Sequence, residues 1–195
     1  MDGKNKKMII GFDLDGVIID QTYQKVRIGK KLGLDLKFED TAFGVLENKY
    51  SLEVVEQMKD ILYNDPTYAL KATVMEGVMD VFAALKAKDY PFFLISRRRH
   101  PYMAVKLLER LEIWPFVIND VNAYFVSGPE AKNTKAGELV VTHYIDDELK
   151  IIHALDTVQN KYLFDRFNVF AEHATYKKIK SWYDFQKLID ENDSV

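Results

Sequence analysis

The chain contains no cysteine, so it has neither disulfides nor thiolate metal ligands, and a reducing compartment is permitted. It has no apolar run approaching the roughly 20 residues that a membrane-spanning helix requires, no internal repeat and no low-complexity stretch. It also lacks a strong charge of either sign: 27 basic residues against 30 acidic ones leave a net charge of -3 at pH 7. That balance supplies no electrostatic footprint for a nucleic-acid polymer or for an anionic membrane. The opening MDGKNKK is polar and basic, and only five residues separate it from Asp13, which does not fit a signal peptide. A soluble cytoplasmic protein is the expectation.

What is present is a chain of 195 residues with 48% hydrophobic and 29% charged content, the balance of a globular protein. The length suits one domain, or one domain with a modest insertion. A chain of this size buries roughly 70% of its unfolded surface and needs no covalent staples.

Residues 8–20, MIIGFDLDGVIID, organise the rest. An unbroken apolar run stops on Asp13, and Asp15 and Gly16 follow. Continuous apolar runs of this length read as strands buried on both faces, the kind found in parallel sheets. Two carboxylates in a D-x-D arrangement at the end of such a strand are hard to justify as packing, and they point to a nucleophilic or metal-binding site. Asp20 is placed to cap a helix that begins near Gln21 and ends at Gly33.

From there to about residue 76 the chain is charged and tyrosine-rich, without strand-like runs. Ser51 reads as an N-cap, Val54, Val55, Met58, Ile61 and Leu62 recur at helical spacing, and Asn64-Asp65-Pro66 ends that helix. Residues 20–76 therefore read as a small helical insertion. Gly77 restarts a different pattern, in which Val78, Val81, Phe82 and Leu85 form an amphipathic helix. A strand over residues 91–95 ends on Ser96. Pro101 opens a helix with Ala104, Leu107, Leu108 and Leu111 on one face.

A third strand over 123–126 ends at Ser127-Gly128-Pro129, and a short helix covers about 132–136. A fourth strand over 140–145 ends on Asp146-Asp147, and Ile151, Ile152 and Leu155 mark the helix after it. Strands over 162–164 and near Ile179 follow. Ser181 and Asp184 form a capping box for the last helix. Strands alternating with helices imply right-handed crossovers and a parallel sheet, with ligands outside the carboxyl ends of the strands. Asp13, Ser96, Asp146 and Asp147 all sit at such ends and converge on one rim.

Carboxylates crowded on one edge repel one another unless a cation sits among them. Hard oxygen ligands without cysteine or histidine suit magnesium, which keeps waters and takes one or two carboxylates plus a substrate phosphate. A carboxylate can also act as a nucleophile and form an aspartyl-phosphate, while a second one two residues on exchanges protons with the leaving oxygen and with water. Gly16 permits a tight turn that would bring backbone amides near a phosphate.

The order Asp13-Leu14-Asp15-Gly16-Val17, a strand ending in Ser96, a lysine, then Tyr144-Ile145-Asp146-Asp147 resembles the haloacid dehalogenase superfamily of phosphohydrolases. The resemblance spans residues 8 to about 190. It implies an α/β fold: a Rossmann-like three-layer core, residues 1–19 and 77–195, with a mostly parallel sheet. A small helical cap, residues 20–76, is inserted after the first strand, similar to that of the deoxyribonucleotidases.

The resemblance also implies roles. Asp13 would be the nucleophile and a magnesium ligand, and Asp15 the general acid and base with its carbonyl on the metal. Ser96 would bind a phosphate oxygen, Asp146 would hold the metal, and Asp147 would support it. Lys132 has the spacing to Asp146 that the family shows and is preferred over Lys135 as the phosphate lysine. Arg97, in the basic run 97–99, is a further candidate for substrate binding.

The expected activity is that of a magnesium-dependent phosphatase acting on a small phosphorylated metabolite, with a nucleoside monophosphate the first specific guess. Tyr23, Arg27, Phe43, Asn48 and Tyr50 are the cap residues nominated for contact. A phosphomutase, a phosphonate hydrolase on the same site and a non-catalytic phosphate-binding module are the alternatives. A dehalogenase is disfavoured, because that branch dispenses with the second aspartate.

Overall fold

The computed structural model describes residues 7–192. Residues 1–6, on which the reading of the polar N-terminus rests, lie outside them. In chain order the elements are β1 (Ile10–Phe12), β2 (Ile19–Asp20), α1 (Thr22–Lys31), α2 (Val45–Lys49), α3 (Leu52–Asn64), α4 (Pro66–Ala69), β3 (Thr73–Val74) and α5 (Val78–Ala87). Then come β4 (Phe92–Ser96), α6 (Tyr102–Arg110), β5 (Ala123–Phe125), α7 (Pro129–Glu138), β6 (His143–Asp146), α8 (Leu149–Ala154), β7 (Asn160–Phe164), β8 (Lys177–Ile179) and α9 (Trp182–Asn192).

Six strands form one sheet in the order β5-β4-β1-β6-β7-β8, and every pair in it is parallel. The chain runs outward from β1 through β4 to β5, then returns to lay β6 on the other side of β1. The switch in direction therefore falls between β1 and β6, where open α/β sheets form their ligand crevice. Ladder hydrogen bonding continues past the strand end: the Asp13 amide donates to the Ile145 carbonyl at 3.0 Å. The first acidic motif is thereby tied to the strand that carries the last one.

Helices cover both faces. Ile10, Phe12, Leu94 and Ile145 point to one side and pack against Val81, Phe82 and Leu85 of α5, Leu107 and Leu108 of α6, and Trp182 and Phe185 of α9. Ile95 and Tyr144 point to the other, against Ala136 of α7 and Ile151 of α8. Trp182 is fully buried, packs edge-on to Phe12, and donates its indole N–H to the Val17 carbonyl at 2.9 Å. The last helix thus holds the loop that follows β1. Its N-terminus is the expected capping box: the Asp184 amide donates to Ser181 Oγ (3.2 Å) and the Ser181 amide to Asp184 Oδ2 (3.1 Å).

The helical segment builds a hydrophobic cluster of its own from Ile28, Leu36, Leu46, Val55, Met58 and Leu62. The α3 positions in this cluster are those of the helical spacing, and Ser51 Oγ accepts from the Val54 amide as an N-cap. Entry and exit lie side by side, because β2 pairs antiparallel with β3. Asp20 starts α1 by accepting the Thr22 amide (2.9 Å) and also takes Arg166 of the core (2.5 Å). On the far side Arg110 of α6 donates to the Ala72 carbonyl at 2.6 Å.

Three local differences from the sequence pattern have physical causes. The helix expected over 132–136 begins at Pro129, whose missing amide hydrogen suits the first helical position. The strand expected from residue 140 begins at His143, because Val140 has φ 54° and sits exposed after the end of α7. The β2–β3 ribbon was not expected at all, since two-residue strands carry no periodicity.

Candidate active site

At the carboxyl ends of β1 and β6 the side chains of Asp13, Asp146 and Asp147 each offer an oxygen within 4.8 Å of the others. Lys132 rises between them from the first turns of α7. Its Nζ donates to Asp13 Oδ1 at 2.6 Å and to Asp146 Oδ2 at 2.7 Å, and its side chain is 1% exposed. Tyr144 walls the ammonium, with the ring centroid 5.6 Å from Nζ and the hydroxyl donating to the Ile95 carbonyl. Gly11 makes this possible, because a Cβ there would lie 2.4 Å from a Tyr144 ring carbon. Lys135, the other lysine considered, pairs with Glu138 on the outer side of α7.

The charges in this cluster are mutually dependent. Burial pushes the Asp13 carboxyl up to about 6, with Lys132 pulling against the rise and Asp146 and Asp15 adding to it. Burial also raises Asp146, which Lys132 partly offsets. Asp147 is pushed well up by burial and by the neighbouring Asp146 and Asp13. Lys132 is driven the other way from burial's pull: Asp13 and Asp146 hold it firmly charged. One lysine against three desolvated carboxylates leaves an excess of negative charge, and the donor set is all hard oxygen. Such a set fits a hard divalent cation.

Gly16 has φ +82°, a backbone conformation that L side chains rarely adopt, and a Cβ there would lie 2.0 Å from Asp147 Oδ2. Its amide donates to the Ile19 carbonyl at 2.9 Å. Gly16 thereby makes room for Asp147, and its amide closes the tight turn after Asp15. Ser96, at the end of β4, is buried and its Oγ accepts from the Arg98 amide at 3.3 Å.

Asp15 stands apart from the three-carboxylate cluster. Arg98 Nε donates to its Oδ2 at 2.7 Å and Arg98 NH2 to its Oδ1 at 2.6 Å, a bidentate grip. Gln21 Nε2 donates to Oδ1 as well, at 2.6 Å. Of the basic run only Arg98 is buried. Arg97, the residue nominated for substrate binding, pairs with Glu148, and Arg99 is exposed. The pattern of three consecutive arginines holds no signal that separates the middle one, so sequence reasoning missed it.

Above these groups opens a cavity of about 460 Å³. Asp13, Asp15, Ser96 and Asp147 form its floor, and Glu56, Lys59, Asp60 and Tyr63 of α3 its roof. Of the segment residues nominated for contact only Phe43 reaches the wall; Tyr23, Arg27, Asn48 and Tyr50 do not. Among the described residues no helix is long and apolar enough to cross a membrane.

No protein-family model matches the chain, and no curated protein does. Solved structures match over nearly its whole length. A HAD family hydrolase from Deinococcus radiodurans R1, with bound phosphate and sodium, has 15% identity and a TM-score of 0.67, covering 95% of this chain and 96% of that one. The chain has the fold of the haloacid dehalogenase superfamily. Also similar are a HAD hydrolase from Bacillus subtilis bound to magnesium (13% identity, TM-score 0.61) and a structure described as a beta-phosphoglucomutase from Thermotoga maritima (15%, 0.58). These cover 95% and 94% of this chain and 99% of their own. The acidic rim between β1 and β6 thus lies at the switch point of a haloacid dehalogenase fold.

Proposed function

We propose that the chain is a magnesium-dependent phosphatase of a small phosphomonoester, working through an aspartyl-phosphate on Asp13. One observation carries the reading: a fully buried lysine binds two carboxylates at once, with a third beside them, under a cavity. Buried ion pairs seldom repay their desolvation in stability. An arrangement this costly makes sense where a phosphate arrives to be neutralised.

Lys132 holds Asp13 Oδ1, which leaves Oδ2 to attack phosphorus. The ester P–O bond breaks, and its oxygen takes a proton from Asp15. Water then attacks the aspartyl-phosphate, Asp15 takes the water's proton, and the bond from Asp13 to phosphorus breaks to free inorganic phosphate. Ser96 binds a non-bridging oxygen, and Arg97, paired with Glu148, faces the same space. Asp13, Asp146 and Asp147 would hold the magnesium, with the Asp15 carbonyl as the resemblance implies, and the ion would supply the positive charge that lets an anionic carboxylate approach an anionic phosphate.

In this reading residues 20–76 are the cap, hinged on the β2–β3 ribbon. The fold's magnesium-bound relative from Bacillus subtilis shows movement between its domains, and closure of this kind excludes water from the reaction. The roof offers charged and polar groups, and its rings already carry cations: Lys59 lies over Phe43 and Arg98 over Tyr63. A polar, non-aromatic phosphomonoester fits that roof better than a nucleoside monophosphate.

The test is phosphate release from 4-nitrophenyl phosphate and from a panel of phosphorylated metabolites, with magnesium and with a chelator. Magnesium-dependent release that disappears in Asp13→Asn is the expected result. No metal-dependent release, or full activity in Asp13→Asn, would overturn the mechanism. Transfer of the phosphoryl group to a sugar hydroxyl, with no free phosphate, would move the assignment to a mutase.

A further inference from the structure

The arginine that grips Asp15 has no role in the reaction just described. Arg98 follows Ser96 in the turn after β4, and the Ser96 hydroxyl accepts its amide, so the two side chains leave the strand end in a fixed relation. Its guanidinium spans both Asp15 oxygens, and its side chain is 5% exposed. A third donor, the buried Gln21 amide at the start of the helical segment, takes Oδ1. Tyr63 of α3 lies with its ring over the guanidinium carbon at 4.5 Å. Gln21, which bonds the carboxylate, and Tyr63, which covers the guanidinium, both belong to the segment proposed as the cap.

Counting lone pairs shows what the grip does. A carboxylate oxygen accepts about two hydrogen bonds. Oδ1 receives two, from Arg98 NH2 and Gln21 Nε2, and is saturated. Oδ2 receives one, from Arg98 Nε, and keeps one site free. The carboxylate is therefore locked in rotation and presents a single oxygen for proton exchange. A lysine in place of Arg98 would offer a point charge without the fork that fixes the carboxylate plane.

We propose that Arg98 is the positioning residue for Asp15, selecting Oδ2 as the atom that exchanges protons, and that Tyr63 holds the guanidinium in place, so that the seating of α3 sets the geometry of the acid–base group. The proposal rests on the phosphatase reading and is tested so that the two can fail separately. The experiment compares kcat and KM for 4-nitrophenyl phosphate, whose leaving group needs little protonation, and for an alkyl phosphate such as glycerol 1-phosphate, whose leaving group needs it.

In Arg98→Met, kcat/KM, which reports the steps up to loss of the alcohol and not the aspartyl-phosphate hydrolysis common to both substrates, is expected to fall by about 100-fold for the alkyl phosphate and by less than about 10-fold for the nitrophenyl ester. Arg98→Lys recovers only part of the loss. Tyr63→Phe, which keeps the ring, shows no leaving-group bias, whereas Tyr63→Leu shows a milder form of the bias of Arg98→Met. In an Asp15→Asn background the Arg98 substitution costs nothing further, because it acts only through Asp15.

An equal fall in kcat/KM on both substrates, or the same loss from Arg98→Met in the Asp15→Asn background, means a role in folding and overturns the proposal. A rise in KM with kcat kept means that Arg98 binds substrate and overturns it too. A rise in alkyl-phosphate kcat would show that the grip restrains Asp15, with the same consequence. If the unsubstituted protein releases no phosphate from any substrate, it is the phosphatase reading that fails.

Discussion

The floor and the roof of the cavity are held together differently. On the floor the arginine and lysine contacts to the first acidic motif join distant parts of the chain: Lys132 and Asp13 are separated by 119 residues, Arg98 and Asp15 by 83. Lys132, Arg98 and Asp146 are buried, Asp13 and Asp15 are mostly so, and all are held at charge-assisted distances. On the roof the charges pair mainly along one helix. Lys59 reaches Glu56 one turn away and Glu47 of α2, both at 3.4 Å, and Asn64 donates to Asp60. These groups sit at or near the surface. A change at Lys132, Asp13 or Asp146 disturbs elements across the sheet, whereas a change at Lys59, Glu56 or Asp60 stays within the helical segment; Tyr63, which covers Arg98, is the roof residue that reaches the floor. In the proposed reading this division places a fixed chemistry beneath an adjustable selector.

The comparison breaks first at Lys132. In metal-free protein, Lys132→Met leaves two buried carboxylates without their cation and should cost about 3 kcal/mol or more of stability in denaturant titration. Phosphate release should drop by about 1000-fold. A variant that kept its activity would show that the floor is ordinary packing.

A middling effect is expected from acid. His143 lies at the start of β6, stacked on Tyr162, and burial with the nearby Lys177 lowers its pKa to about 4. The folded protein keeps it neutral where the unfolded chain protonates it near pH 6.5. Its contribution is intact above that pH and is lost as pH falls from about 6.5 through about 4. Asp13, raised to about 6, has the opposite dependence, losing stability as pH rises from 3.8 through 6. The comparison is therefore wild type against His143→Gln, whose melting temperature should fall less between pH 7 and pH 4.5. Identical slopes would remove His143 from the account.

The smallest change belongs to the roof. Lys59→Gln should alter stability by no more than about 0.5 kcal/mol, since half-exposed pairs contribute little. It should change KM across a substrate panel and leave kcat alone. A kcat loss as deep as that of Lys132→Met would erase the distinction between floor and roof.

The same division governs what could be read from sequence. Asp13, Ser96 and the Asp146-Asp147 pair are legible because each ends an apolar run, and a parallel sheet brings such ends to one edge. Lys132 was identified through the resemblance and not through its surroundings. In a helix with Glu130, Asn133 and Lys135 nothing local marks it as buried. Arg98 escaped notice because a run of three arginines reads as solvated, and the contacts that bury the middle one come from residues 35 and 83 positions away, Tyr63 and Asp15. The segment's aromatic residues misled for the opposite reason. Tyr23 and Tyr50 are visible in the sequence, but the face of the helix that meets the cavity is set by packing of Ile28, Val55 and Met58.

Trp182 gives the molecule a built-in optical reporter. Of the two tryptophans it is the one with no exposure, and its indole N–H is bonded to the carbonyl of Val17, two residues beyond Asp15. Any rearrangement of the loop behind the two aspartates lengthens or shortens that bond, and indole emission responds to it. In a protein whose other tryptophan, Trp114, is replaced by phenylalanine, the phosphate binding proposed for the rim is expected to register in the emission of Trp182 without a label.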